Sequence, residues 1–169
     1  MSYRNKTYVA FASEEIHYYR LMTAWKKNEG IDFDFFNAHE FVQARDTSQP
    51  DTIRRSLRLR LANTKQVVFL GSRKGKSKAG DSKSFLFYEI EVISKLNLPV
   101  VVANLDGDRE VDRDFIPQRF LDEDYYTESV SFQPKIIKYA LEHYAAEYSA
   151  SAKTGPHSYK AQAYTKLDL

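Results

Sequence analysis

The acidic residues whose setting allows chemistry are Glu89 and Glu91, two positions apart in SFLFYEIEVISK. Taken at about 100° per residue, Phe85, Leu86, Ile90, Val92, Ile93 and Leu96 share one broad arc of a helix. That helix starts near Ser82 or Ser84, either of which can cap it. Glu89 falls inside the arc, with Phe85 one turn before it. Glu91 falls on the opposite face with Lys95 four residues on, the spacing of a solvated ion pair. A carboxylate among apolar neighbours is costly unless it is paired, hydrogen-bonded or used in a reaction. Glu89 is therefore either a border residue that reaches water or an arginine, or an acid held in a site that uses it.

The other chemistry-bearing groups exclude more than they assign. There is no cysteine, which rules out disulfides, thiolate metal sites and a cysteine nucleophile, and suits a reducing compartment. The histidines His17, His39, His143 and His157 lack the spacing of a metal site, and no GxSxG is present. Asp106, Asp108, Asp112 and Asp114 cluster in LDGDREVDRDF, but the glycine stands too early for a calcium loop and no closing glutamate fits, so a turn and no metal are expected. GSRKGKS follows a strand as a phosphate-binding loop would, yet only Ser72, Arg73 and Lys74 separate its glycines, one residue too few. Arg73, Lys74, Lys76, Lys78 and Lys83 in the loop 73–83 either keep it solvated or attract an anion.

A sheet must position these groups. At 169 residues, 43% hydrophobic and 28% charged, the chain has the length of one domain with a real core. Its 25 basic and 23 acidic residues give no global nucleic-acid or membrane signature. Strand-like runs at Thr7–Ala12, Phe33–Phe36, Gln66–Leu70, Val100–Ala103 and Tyr125–Phe132 alternate with helical patterns after Ser13, over 51–63, over 83–97 and from Pro134. Ser13 reads as the N-cap of the first helix and Gly30 as its stop. Arg54, Arg55, Arg58 and Arg60 read as a solvated face of the second. An irregular acidic link replaces a helix before the last strand. This order predicts an α/β, flavodoxin-like three-layer fold with a parallel five-stranded sheet, order 2-1-3-4-5, and ligands at the carboxyl ends of its strands. Residues 1–148 read as one domain. Residues 149–169, SASAKTGPHSYKAQAYTKLDL, read as a tail, dispensable for folding and open to a partner or a second copy. No apolar run approaches membrane-spanning length and MSYRNKTYVAF has no signal-peptide core, so a cytoplasmic location is expected.

Three stretches, VAFASEEIHYYR, IRRSLRLRLANTKQVVFLGS and SKSFLFYEIEVISKLNLPVVVANL, together resemble the TIR-like proteins of bacteria, particularly those of the Thoeris anti-phage system, over about residues 7–105. The resemblance implies a TIR-like fold and an enzyme, an NAD glycohydrolase or ADP-ribosyl cyclase, that takes NAD as substrate and needs no further cofactor. It implies that Glu89 is catalytic and that Phe85 is the aromatic four residues before it. Glu15 stands where the family often has an acid after the first strand, and Phe11 and Ser13, from the same strand end, join Phe85 as substrate-binding candidates. Ala10 and Ala12 depart from the Ser, His or Tyr that relatives often carry there. Implied partners are a phage-derived trigger, a separate effector reached through a diffusible ADP-ribose-type signal, and a second copy of the chain.

One carboxylate suffices for that chemistry. Cleaving the nicotinamide–ribose bond passes through an oxocarbenium-like transition state, and the pyridinium leaves as a neutral molecule without needing a proton, unlike the alcohol released by an ordinary glycosidase. Glu89 would accept the ribose hydroxyls and stabilise the cation, while Phe11 or Phe85 could stack on nicotinamide or adenine. Whether water, an adenosine hydroxyl or another nucleophile captures the ribosyl cation decides between hydrolysis and a cyclic product. Two rival readings stand beside this one: a non-catalytic interaction module whose 12 Tyr and 11 Phe build homotypic contacts, and a nucleotide- or nucleic-acid-binding flavodoxin-like domain that uses the basic loop.

Overall fold

The structure, a computed structural model, describes residues 6–28, 35–36 and 49–169. The expected helix stop at Gly30, the first half of the second strand and His39 lie outside these residues. Strands β1 (Thr7–Ala10), β2 (Phe35–Phe36), β3 (Gln66–Gly71), β4 (Val100–Asn104), β5 (Thr127–Ser131) and β6 (Pro156–Ser158) form one sheet in the order β2-β1-β3-β4-β5-β6, every pair parallel. Helices α1 (Ile16–Asn28), α2 (Pro50–Leu61), α3 (Arg73–Ala79), α4 (Phe85–Lys95), α5 (Gln118–Asp122), α6 (Pro134–Glu147) and α7 (Ala161–Lys166) surround it. The fold is the expected α/β, flavodoxin-like arrangement, with the order 2-1-3-4-5 intact and one strand added.

Alternation along the strands divides the core in two. Tyr8, Ala10, Val67, Phe69, Val100 and Val102 pack with Leu57 and Leu61 of α2 and with the buried side of α4. Val9, Val68, Leu70, Val101, Ala103 and Val130 pack with Met22 and Trp25 of α1 and with Ile136, Ile137 and Leu141 of α6. Trp25 tilts against Phe132 with ring centroids 4.8 Å apart. The central strands are apolar on both faces because helices cover both. Fully burying each Val, Leu or Phe of β3 and β4 is worth roughly 1.5–3 kcal/mol, so the sheet's centre anchors the fold.

The sixth strand corrects both the count of five and the reading of 149–169 as a tail. Without a neighbour, β5 would leave a row of backbone groups unpaired at the sheet edge. Instead Thr127, Glu128 and Ser129 pair with Pro156, His157 and Ser158. Gly155 adopts φ +73° to make the turn, donating its N–H to the Asp124 carbonyl at 2.7 Å and accepting from Thr127 at 3.2 Å. α7 then seats Tyr164, 0% exposed, beneath the sheet, where its hydroxyl accepts the Ser131 N–H at 3.1 Å.

Three local expectations also change. Ser13 is not the cap of the first helix: the chain enters α1 through a 3-10 turn, Ser13–Glu15, whose N-cap is Ala12. The basic stretch after β3 is not a loop throughout, because the Ser72 hydroxyl accepts the Gly75 N–H at 2.8 Å and starts α3. The acidic link contains a 3-10 turn, Arg113–Phe115, and the short α5. Of the two serines proposed for α4, Ser84 is the cap, accepting from Leu86.

Candidate active site on helix α4

Helix α4, the second helix after β3, lies on the Tyr8 face of the sheet. Glu89 is 6% exposed, and the hydroxyl of Tyr8, itself 0% exposed, donates to its Oε1 at 2.6 Å. An O–H···O hydrogen bond of this length is short and directional. The Tyr8 ring is fixed in turn by an edge contact with Phe36, centroids 5.0 Å apart and planes at 77°. Phe85, one turn before Glu89, is half-buried and packs against the same cluster. A carboxylate has thus been placed within an apolar layer and oriented by a strand residue 81 positions away.

Glu91 departs from its expected solvated face. It is as buried as Glu89, accepts Arg54 Nε at 3.1 and 3.0 Å on its two oxygens, and accepts Lys95 Nζ at 3.1 Å. Burial alone would raise its pKa, but the bonds from Arg54 and Lys95 outweigh it and hold the carboxyl below the usual range. Arg54 also bonds Asp51 at 3.1 Å and lies over the Tyr88 ring at 5.3 Å, so it too departs from the expected solvated face. The physical reason is α2, which packs beside α4 on the same face of the sheet and brings Arg54 against Glu91; Tyr88 through Ile93 are all buried.

At the carboxyl edge, Ser72 donates to Glu15 Oε1 at 2.8 Å while capping α3, and Lys78 stands 3.7 Å from Glu14. Burial raises the Glu15 pKa, with the Ser72 bond opposing the shift. Gly71 lets β3 approach β4 here: a Cβ would lie 2.9 Å from Val102 Cγ1 and 3.2 Å from Asn104 Oδ1.

The candidates drawn from the sequence are therefore partly separated. Glu89 and Phe85 share one face. Phe11 belongs to the other, stacked on Tyr19 with centroids 5.4 Å apart, because the alternation that turns Tyr8 toward α4 turns Phe11 toward α1. Ser13 is exposed at the end of β1. Tyr8 was the residue missed, and TYVAFA held the signal: period two sets Tyr8, Ala10 and Ala12 against Val9 and Phe11.

The acidic turn does bring ligand-type groups together. The carboxylates of Asp106, Asp108 and Asp112 lie within 4.8 Å of one another. Each already accepts a nearby backbone N–H, from Asp108, Glu110 and Asp114 at 3.0, 3.0 and 2.9 Å. Asn104 ties the turn to β4 through the carbonyls of Asp108 and Glu110. Among the described residues no helix is long and apolar enough to cross a membrane.

A parallel sheet of this order, wrapped by helices and carrying an inward-facing glutamate on α4, between β3 and β4, defines a TIR-like domain. The family model of the Thoeris protein ThsB, TIR-like domain, matches residues 8–110, more than half of the chain, and the chain belongs to that family. The matched span contains both Tyr8 and Glu89. No curated protein matches the chain.

Proposed function

We propose that this protein is an NAD-consuming TIR-like enzyme of anti-phage defence, a glycohydrolase or ADP-ribosyl cyclase whose product signals to a separate effector. The observation that supports this reading is the Tyr8–Glu89 pair: a nearly buried carboxylate in a family member, held at 2.6 Å by a hydroxyl from the sheet. NAD enters as substrate, with no cofactor or metal in the bond-breaking step. Glu89 accepts the ribose hydroxyls and stabilises the oxocarbenium character as nicotinamide leaves; Tyr8 sets the carboxylate's direction. Stacking on nicotinamide or adenine falls to Phe85, since Phe11 packs in the opposite half of the core. Ser13, exposed at the carboxyl end of β1, sits where parallel sheets bind their ligands. The enzyme works in the cytoplasm, where NAD is available, and is switched on by a phage-derived trigger or by assembly with further copies.

The test follows nicotinamide release by chromatography after NAD is added to the purified chain, alone and with phage-infected lysate. Glu89→Gln keeps size and hydrogen bonding but removes the charge, so turnover is expected to fall by about 100-fold or more with the fold intact. A variant that turns over at the parental rate removes Glu89 from catalysis and leaves an interaction module as the better reading.

A further inference from the structure

A cavity lies on the face of the sheet opposite Glu89, between α6 and the β5–β6 pair, with a volume of about 320 Å³. Its floor is Glu128. Alternation along β5 sets Glu128 on the same side as Val130, and the register places it beside His157 of β6. Glu128 is 4% exposed, and among the described residues no hydrogen bond or ion pair reaches its carboxylate. The Glu128 oxygens open into the cavity, so the hydrogen bonds they accept come from water or from a ligand that displaces it. Burial pushes this carboxyl up to about 7, with Lys153 opposing.

The lining narrows the chemistry of that partner. Tyr126 meets His157 edge-on at 5.2 Å, and Tyr139 meets Tyr159 edge-on at 5.2 Å, so the walls offer flat ring surfaces suited to a planar heterocycle. Exposed Lys153 and Lys160 flank the mouth, with His143 and Glu147 from α6. Two ammonium groups disfavour a cationic ligand such as a guanidinium or a polyamine and favour one with an anionic end. A carboxylate floor has two acceptor oxygens and asks for two parallel N–H donors. Guanine presents such a pair on one edge, whereas adenine sets a ring acceptor beside its amino group.

We propose that this cavity binds a guanine nucleotide, with the base's paired N–H donors on Glu128, its ring against the tyrosines, and its phosphate met by Lys153 and Lys160. The site is separate from Glu89 and does not depend on NAD turnover. Titration calorimetry of the full chain at mildly alkaline pH, where the Glu128 carboxyl is ionised, with GMP, AMP and guanosine tests it. GMP is expected to bind, AMP at least about tenfold more weakly, and guanosine more weakly than GMP for want of the phosphate. Glu128→Gln should weaken GMP at least about tenfold, because the amide turns donors toward donors. The exposed Lys153→Ala, which leaves the floor intact, should weaken GMP while leaving guanosine unchanged. No GMP binding, equal binding of AMP, or GMP binding indifferent to both substitutions overturns the proposal.

Discussion

At Glu89 the Tyr8 hydroxyl fixes one carboxylate oxygen, so removing that hydroxyl while keeping the ring separates orientation from charge. Tyr8→Phe should preserve the edge contact with Phe36, cost about 1 kcal/mol in chemical denaturation, and lower kcat roughly tenfold with little change in KM. A substitution that altered only stability would assign Tyr8 to packing. Glu91→Gln should cost about 1–3 kcal/mol, because Arg54 and Lys95 lose a charged partner that is nearly buried. Since the folded state holds the Glu91 carboxyl below its usual range, its contribution is present above the ordinary carboxylate range and is lost as pH falls through the folded value; Glu91→Gln should lose less stability on acidification than the parent. Helical periodicity makes the inward direction of Glu89 legible in the sequence. It misleads at Glu91, because a single helix's pattern carries no trace of the second helix that packs beside it.

Among the elements, β3 and β4 are legible as unbroken apolar runs, and α4 and α6 by their stripes. Helix α3 is not: RKGKSKA contains a glycine and no apolar stripe, and what makes it helical is the Ser72 cap together with Gly75 seated close to Phe69 and the Leu70 carbonyl. Strand β6 is three residues, Pro-His-Ser, with no alternation to read; only the open edge of β5 makes it a strand. Deleting residues 149–169 should therefore remove the partner of β5 and the Tyr164 side chain that fills the core beside it. The expected outcome is a thermal transition lowered by at least 10 °C or abolished, with aggregation at the uncovered edge, read by calorimetry and light scattering. A truncated chain that melts like the parent and changes only its oligomer size would restore the reading of this segment as a detachable tail.

For the whole molecule, the two faces of one sheet carry two unlike carboxylates: Glu89 bonded by Tyr8, and Glu128, nearly buried and reached by no hydrogen bond or ion pair among the described residues. The second has a global signature. Its folded pKa of about 7 lies above the usual 4.5, so the stability it contributes is full below about 4.5 and is lost as pH rises through about 7. Glu128→Gln removes that dependence, and its stability relative to the parent should increase by about 3 kcal/mol between acidic and mildly alkaline pH, measured by chemical denaturation at both. The division of the core also gives the molecule a one-sided optical reporter. Trp25 is the single tryptophan of the chain, is 9% exposed, and rests against Phe132 in the half of the core that α6 and α7 cover. Its emission should accordingly shift when the C-terminal strand is lost and stay blind to substitutions at Glu89. Fluorescence and far-ultraviolet dichroism recorded through one unfolding transition would then show whether the two halves melt as one cooperative unit or peel apart at the sheet between them.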